Sequence, residues 1–329
     1  MDILGIGNAL VDIFCFTDDE ISPALGLYPN AAAHVAPERM DELLLAVTRP
    51  VPVSGGGASN ALKAAAALGS SCAFVGCTGT EDRESDRWAR IFERDLAAFG
   101  IRAFLERRAV ATGRCLVIRM PGGIKAVACA PGAAPTLRPE QIDPVLIADA
   151  KIVHLDGQVL RNAELTDRIA NLCRSLNVPL SIDIASADIA RSRAGLVDSI
   201  LRNNRCVLFM NEDESHEFSK AIAPTGCEGT LFASYTENGS RKTCIVRKRG
   251  AAGAQAWIDG EMIDAPSATA VEAPLDDTAA GDCFAGAFLN RWLAGGEAGP
   301  MLETANAFAA AVLGVPGSDI PPPARPAIG

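Results

Sequence analysis

Short apolar runs alternate along the chain with longer stretches whose apolar residues recur at three- and four-residue spacing. The short runs predict strands over 3–7, 73–76, 114–120, 125–130, 151–155, 180–183, 207–210, 243–247 and 255–258. The longer ones predict helices over 37–47, 58–68, 83–99, 139–146, 161–176, 195–202, 212–218, 279–294 and 300–313. Several strands, such as Val207-Leu-Phe-Met210, are apolar throughout, which suits a sheet covered on both faces. Strands alternating with helices imply a doubly wound, mostly parallel α/β sheet, and ligands on such sheets bind beyond the carboxyl ends of the strands.

Two stretches break this rhythm. Residues from about 14 to 36 and from about 103 to 130 hold β-like segments with no helix between them. Pro121-Gly-Gly-Ile124 is a hairpin turn signal between two of those segments. They read either as a small β-sheet lid or as edge strands of the main sheet. The end, 318–326, reads as an extended proline-rich tail, and no repeat is present.

A chain of 329 residues makes one large or two ordinary domains. Thirty Lys and Arg against 40 Asp and Glu leave a net charge of −10, without the cationic footprint a phosphate-backbone binder needs. Nucleic acid is therefore not an expected partner. Ten cysteines form no C-x-x-C pair and sit mostly in apolar runs, the usage of reduced core residues in a cytoplasmic protein. His34, His154 and His216 are too far apart in sequence to form a zinc motif. The N-terminus lacks a basic region before its apolar residues, and no run reaches the ~18 residues of a membrane span.

The most informative segment is Asp276-Asp-Thr-Ala-Ala-Gly-Asp-Cys-Phe284, just ahead of a helical run. Ala279, Ala280 and Gly281 are small enough to let backbone approach a ligand. The N–H groups that open the helix, aided by its dipole, favour an anion. Asp282 sets a carboxylate beside them, a combination suited to phosphoryl transfer. Spacing alone equally allows a first-turn helix acid in a tightly packed turn.

Asp276–Phe284 closely resembles the D-T-x-G/A-A-G-D-x-F signature of the PfkB (ribokinase-like) carbohydrate and nucleoside kinases. Further matches follow in order. Ile6-Gly-Asn-Ala-Leu-Val-Asp-Ile13 resembles the family's first strand. Ser54-Gly-Gly-Gly-Ala-Ser-Asn60 resembles its di-glycine motif, and Thr112-Gly113 a lid strand. Asn211-Glu-Asp-Glu214 resembles N-x-x-E, Gly250-Ala-Ala-Gly253 the nucleotide loop, and Asn306 a residue near the adenine. The resemblance implies a single ribokinase-like kinase domain over 1–329, with the lid segments inserted in it. It further implies transfer of the ATP γ-phosphoryl group to a hydroxymethyl group of a sugar.

In that scheme Asp282 takes the hydroxyl proton while Ala279, Ala280 and Gly281 form the anion hole. Asp12, Asn8, Gly56, Gly57 and Asn60 hold the acceptor. Asp12 accepts from neighbouring hydroxyls, and Gly55, Gly56 and Gly57 offer positive φ and close approach. Lys248, Gly250, Gly253, Asn211 and Asn306 bind ATP. Asn211 and Glu214 hold Mg²⁺ through water, and Asp276 is a candidate neighbour of K⁺. Each motif also has a plainer reading: a solvated strand end for Asp12 and for Arg247-Lys-Arg249, a strand-to-helix turn for the glycines, a capped helix start for Asn211 and Glu214.

The sequence departs from the family pattern in places. Asp277 stands where Thr is usual and should point away from phosphate; Ala279 replaces the commonest Gly; the G-x-D-x-x-G turn before Trp88 is lost; the loop at 315–318 is short. The opening segment resembles the adenosine-kinase-like branch, whereas Ala-Ala-Gly-Asp resembles ribokinases. A sugar kinase, a nucleoside kinase with Phe14, Phe16, Leu116 or Ile118 against the base, and a weakly catalytic ligand-binding regulator all remain open. So do a monomer and a lid-mediated homodimer.

Overall fold

A computed structural model describes residues 1–17, 25–29, 31–120, 124–237, 243–267, 277–314 and 320. The hairpin turn at 121–123, Asp276, the 315–318 loop and nearly all of the 318–326 tail lie outside the described residues. The strands are β1 (Ile3–Ile6), β2 (Leu10–Phe16), β3 (Ala32–His34), β4 (Val51–Gly55), β5 (Cys72–Glu81), β6 (Glu84–Ser85), β7 (Arg102–Arg108), β8 (Gly113–Arg119), β9 (Lys125–Ala130), β10 (Ile152–Asp156), β11 (Leu180–Asp183), β12 (Cys206–Asn211), β13 (Cys244–Lys248), β14 (Ala254–Ile258) and β15 (Glu261–Ala265). The helices are α1 (Pro37–Ala46), α2 (Gly57–Ala67), α3 (Arg87–Ala98), α4 (Pro144–Ala148), α5 (Ala163–Ser175), α6 (Ala187–Ser192), α7 (Ala194–Asn203), α8 (Glu212–Ile222), α9 (Glu228–Thr236), α10 (Ala280–Leu293) and α11 (Ala298–Val312).

Ten strands form the main sheet in the order β15-β14-β13-β12-β11-β10-β1-β5-β6, with β7 on β5. Pairing is parallel from β13 through to β7, and β14 and β15 add an antiparallel edge. The continuously apolar strands follow from burial on both faces. Val207 and Phe209 enter one core with α2, α10 and α11, while Cys206, Leu208 and Met210 enter the other with α5, α7 and α8. The expected doubly wound α/β architecture is thus present.

A separate five-stranded sheet runs β3-β9-β8-β2-β4. Its boundaries differ from those expected at 14–36 and 103–130. It takes in β2 from Leu10 and also β4, a segment that Pro52 and the glycines disguised as a turn. Pro is tolerated there because β4 is an edge strand. Conversely, β7 pairs with β5 in the main sheet, so the edge-strand reading holds for 102–108. Alternation divides the lid sheet into two faces. Val11, Ile13, Leu116, Ile118, Ala126 and Ala128 pack into the core with Met40 and Leu43 of α1 and Phe92 and Leu96 of α3. The opposite face carries Asp12, Cys115, Arg119, Lys125 and Cys129.

Helix boundaries moved for identifiable reasons. Helix α3 begins at Arg87 rather than 83, because Asp82 and Arg83 take positive φ and Asp86 caps the helix by accepting from the Ala89 amide at 2.7 Å. The helix expected over 139–146 splits where Asp143 caps and Pro144 starts α4. Helices α6 and α9 were not anticipated; α9 opens Glu228-Gly-Thr, a weak helical signal, and is held by Phe232 against Trp257. No helix among the described residues is long and apolar enough to cross a membrane.

Candidate active site

After β1 the chain adds strands on one side through β5, then crosses to β10 on the other. The crevice of a doubly wound sheet opens at such a reversal. Here the carboxyl ends of the parallel strands bring together Asn8, Asp156, Asp183, Asn211 and Lys248. The ends of α2 and α10 meet this edge, and Gly57 and Asp282 approach Asp156 there.

Asp282 lies in the first turn of α10. Its Oδ2 accepts from Asn60 Nδ2 at 3.1 Å. Burial, and then the charge of Asp183, push its carboxyl up to about 6, against the pull of Asn60 and Lys248. A carboxylate tuned near neutrality suits a general base. Ala279 caps the helix in the left-handed region at φ 64°. That turn frees the helix's leading amides: the Gly281 and Asp282 N–H groups donate to no described residue, whereas Ala280 N–H reaches Asp277 O at 3.3 Å. Of the residues expected to form an anion hole, Gly281 thus has an amide without a described partner, as does Asp282, whereas that of Ala280 is engaged. A Cβ at Gly281 would lie 3.2 Å from Lys248 Nζ, so the lysine ammonium stands beside those amides.

To one side of the sheet edge a cavity of about 690 Å³ is lined by Asn8, His34, Gln158, Arg161, Asn162 and Asp188, among others. Of the expected acceptor residues, Asn8 alone is on its lining. Asp12 is only 7 % exposed, and burial, partly offset by Lys63 and reinforced by Asp282, pushes its carboxyl up to about 7. Of the three glycines only Gly56 takes positive φ, at 92°, where a Cβ would also strike Asn8 O. Gly55 and Gly57 are needed for proximity instead: Asp12 fills the place of a Cβ at 55, and Asp156 and Asp282 crowd 57. Asn60 is 2 % exposed, and its Oδ1 has no hydrogen-bond partner among the described residues. A buried acceptor left open beside the Asp282 carboxylate can take a donor such as a hydroxyl.

On the other side a cleft of about 340 Å³ is lined by Lys248, Gly250, Gly253, Gly281, Phe284 and Asn306, among others. Asn306 anchors its wall, donating through Nδ2 to Ala265 O at 3.1 Å. Strand alternation resolves the basic cluster. Lys248 turns inward and binds Asp183 at 2.7 and 2.8 Å. Arg247 instead pairs with Glu228 at 2.6 Å and lies over Trp257, and Arg249 pairs with Asp264 at 2.6 Å. Burial works against the Lys248 charge, yet Asp183 and Glu214 together hold its pKa above the ordinary lysine value.

Asn211 and Glu214 form a reciprocal cap on α8. Glu214 N donates to Asn211 Oδ1 at 2.9 Å, and Asn211 N to Glu214 Oε2 at 2.8 Å. The plainer reading of a capped helix start is thus realised. Glu214 is buried, and burial with the neighbouring Asp183 charge raises its carboxyl pKa. With both capping oxygens committed, the pair suits an ion reached through water rather than direct ligation. No group of three or more His, Cys, Asp or Glu suited to a metal occurs among the described residues.

Asp156, Asp183 and Lys63 were missed in the sequence. Asp156 accepts from the Asn8 amide at 3.1 Å and the Gln158 amide at 2.9 Å, fixing the β1 loop. Both aspartates end apolar strands of a parallel sheet, and that position was the available signal. Lys63, buried in α2, donates to Ser54 O at 2.6 Å. Asp277 lines the 340 Å³ cleft, but its carboxylate is paired with cations of the lid. It binds Lys125 at 2.6 Å and Arg119 at 3.4 Å, and these cations draw its pKa down despite burial.

A helix start whose amides have no described partner and a buried carboxylate of raised pKa, at the edge of a doubly wound sheet with a smaller β-sheet, fit a phosphotransferase with an alcohol acceptor. The pattern of the pfkB family of carbohydrate kinases matches residues 19–325. The chain belongs to that family and is a sugar or nucleoside kinase. It is 28% identical over 283 residues to an ATP-dependent ribose-1-phosphate kinase of Halopiger xanaduensis, covering 82% of this chain and 83% of the relative. Its fold matches the adenosine kinase from Sinorhizobium meliloti (TM-score 0.81, 21% identity, 96% of this chain and 95% of that one). It also matches a probable sugar kinase from Rhizobium etli (TM-score 0.82, 21% identity, 98% and 94%).

Proposed function

We propose that the chain transfers the γ-phosphoryl group of ATP to a hydroxymethyl group of a sugar. ATP lies along the 340 Å³ cleft, with its terminal phosphates at the Gly281 and Asp282 amides and Lys248. The sugar enters through the 690 Å³ cavity past Asn8 and reaches Asp12, Asn60 and the Gly56–Gly57 backbone, which hold its hydroxyls. Its primary hydroxyl faces Asp282, which orients it and accepts its proton as the O–P bond forms. An alcohol is a far weaker acid than a carboxylic acid, so the proton leaves late and positioning dominates. Mg²⁺ bound with ATP supplies charge neutralisation to the phosphates, with Glu214 and Asn211 the residues nearest to hold its waters. Lid closure excludes water from the transfer.

The observation that carries this reading is Asn60: it donates to Asp282 with one amide atom and leaves the other, a buried acceptor, open. The cavity lining favours a sugar over a nucleoside. It contains no Phe, Tyr or Trp among the described residues. Phe14 and Phe16 share the Asp12 face by alternation but do not line it, and Leu116 and Ile118 are core residues on the opposite face. Arg161 on the lining also suits an anionic substituent, as on the ribose 1-phosphate for which the Halopiger relative is named. An ATP-consumption screen over ribose, ribose 1-phosphate, fructose and adenosine tests this. Saturable turnover with a sugar or sugar phosphate is expected. Preference for adenosine would overturn the sugar reading, and binding without ATP consumption would indicate a ligand-binding regulator.

A further inference from the structure

Register places four chemically active side chains in one row across the lid. Asp12 of β2 is opposite Cys115 of β8, Cys115 is opposite Cys129 of β9, and Cys129 is opposite His34 of β3. Paired residues on neighbouring strands share a face, and this one bears Asp12 and the cavity-lining His34. The two sulfurs are 2.7 Å apart, and both cysteines are half-buried. Directly opposed residues of an antiparallel pair have the Cα separation a disulfide requires, so bonding needs only small side-chain adjustment. The other eight cysteines take no part in such a sulfur–sulfur contact among the described residues.

We infer that Cys115 and Cys129 form a reversible dithiol–disulfide site whose oxidation by a small-molecule disulfide weakens acceptor binding. The last clause rests on the proposed acceptor cavity. The Cys129 thiolate attacks one sulfur of RS–SR, releasing RS⁻, which takes up a proton. The Cys115 thiol then gives up its proton, and its sulfur displaces the second RS⁻ from Cys129. Two thiols are oxidised by two electrons, and one RS–SR becomes two RSH. The thiol of Cys115 hydrogen-bonds to Cys129 and lowers its pKa, favouring Cys129 as the attacking group. The new bond staples β8 to β9 between Asp12 and His34, so the lid face can no longer adjust around the acceptor. A transient disulfide of this kind is compatible with a reducing compartment.

The test treats the full chain with oxidised glutathione, blocks remaining thiols and maps tryptic peptides without reduction. Cleavage after Arg114, Arg119, Lys125 and Lys151, the Arg138–Pro139 bond being resistant, puts the two cysteines on separate peptides, 115–119 and 126–151. The expected product is those peptides joined, two hydrogens lighter than their sum. Acceptor KM should rise several-fold with ATP KM unchanged, and dithiothreitol should reverse it. Cys129→Ser should keep basal turnover and lose both responses. Glutathione adducts alone, or no linked peptide, would overturn the site. A linked peptide with unchanged acceptor KM would overturn its control of binding. The peptide map does not depend on which acceptor is used, so failure of the sugar-kinase reading would be separately visible.

Discussion

The two cavities at the carboxyl edge of the main sheet are built by different means. The donor cleft relies on main chain: helix-start amides, the Gly250 and Gly253 turn, and one lysine held by Asp183. The cavity proposed for the acceptor relies on side chains, with Asn8, His34, Gln158, Arg161, Asn162 and Asp188 on its lining and Asp12 and Asn60 proposed to reach the same acceptor. Main-chain recognition tolerates sequence change wherever backbone geometry survives. Side-chain recognition changes with each substitution. The first arrangement therefore suits a donor common to many enzymes, and the second an acceptor that distinguishes them.

That contrast predicts where substitutions act. Gly281→Val is the most damaging on the donor side, since its side chain meets Lys248 Nζ and covers the free amides. Turnover should fall by about 10²–10³, the usual cost of losing an oxyanion-type donor. A loss under tenfold would remove those amides from the mechanism. Asp12→Asn should act on the acceptor side alone, raising acceptor KM by about 10- to 100-fold with ATP KM unchanged, as expected for a lost hydrogen bond to a charged group. Equal changes in both constants would erase the division.

Asp277→Thr restores the residue usual at that position and breaks the ties to Lys125 and Arg119. Asp277 and Lys125 are partly exposed, so the cost should be small, a few-fold in kcat/KM, and smaller still in high salt. A salt-independent loss would mean the contact is not electrostatic. Ala279→Gly should relieve the left-handed backbone and stabilise the fold by about 1 kcal/mol, read as a raised Tm. A lowered Tm would show that the turn is not strained.

Legibility in the sequence divides along similar lines. Asp282, Gly281, Gly56 and the 250–253 turn were singled out by the family resemblance of their motifs, whereas spacing alone left Asp282 open as a first-turn helix acid. Alternating strands and helices disclosed the doubly wound sheet. Asp156 and Asp183 were not readable as site residues, because single acids at strand ends acquire their partners only through strand order. The lid's extent was obscured by Pro52 and by β7, whose pairing is decided by tertiary contacts rather than local pattern. Asp277 was recognisable as out of place, but its partners lie more than 150 positions away on β8 and β9, at separations of 158 and 152.

The role of Asp282 is tested most directly by the pH profile of turnover for wild type and Asp282→Asn, at saturating ATP and sugar. Burial and Asp183 raise its folded pKa to about 6, so the proton-accepting form is lost below that pH. Wild-type turnover should decline as pH drops through about 6, while the variant runs about 10³-fold slower with no such limb. A variant that turns over near the wild-type rate, or keeps the same acid limb, would contradict the assignment.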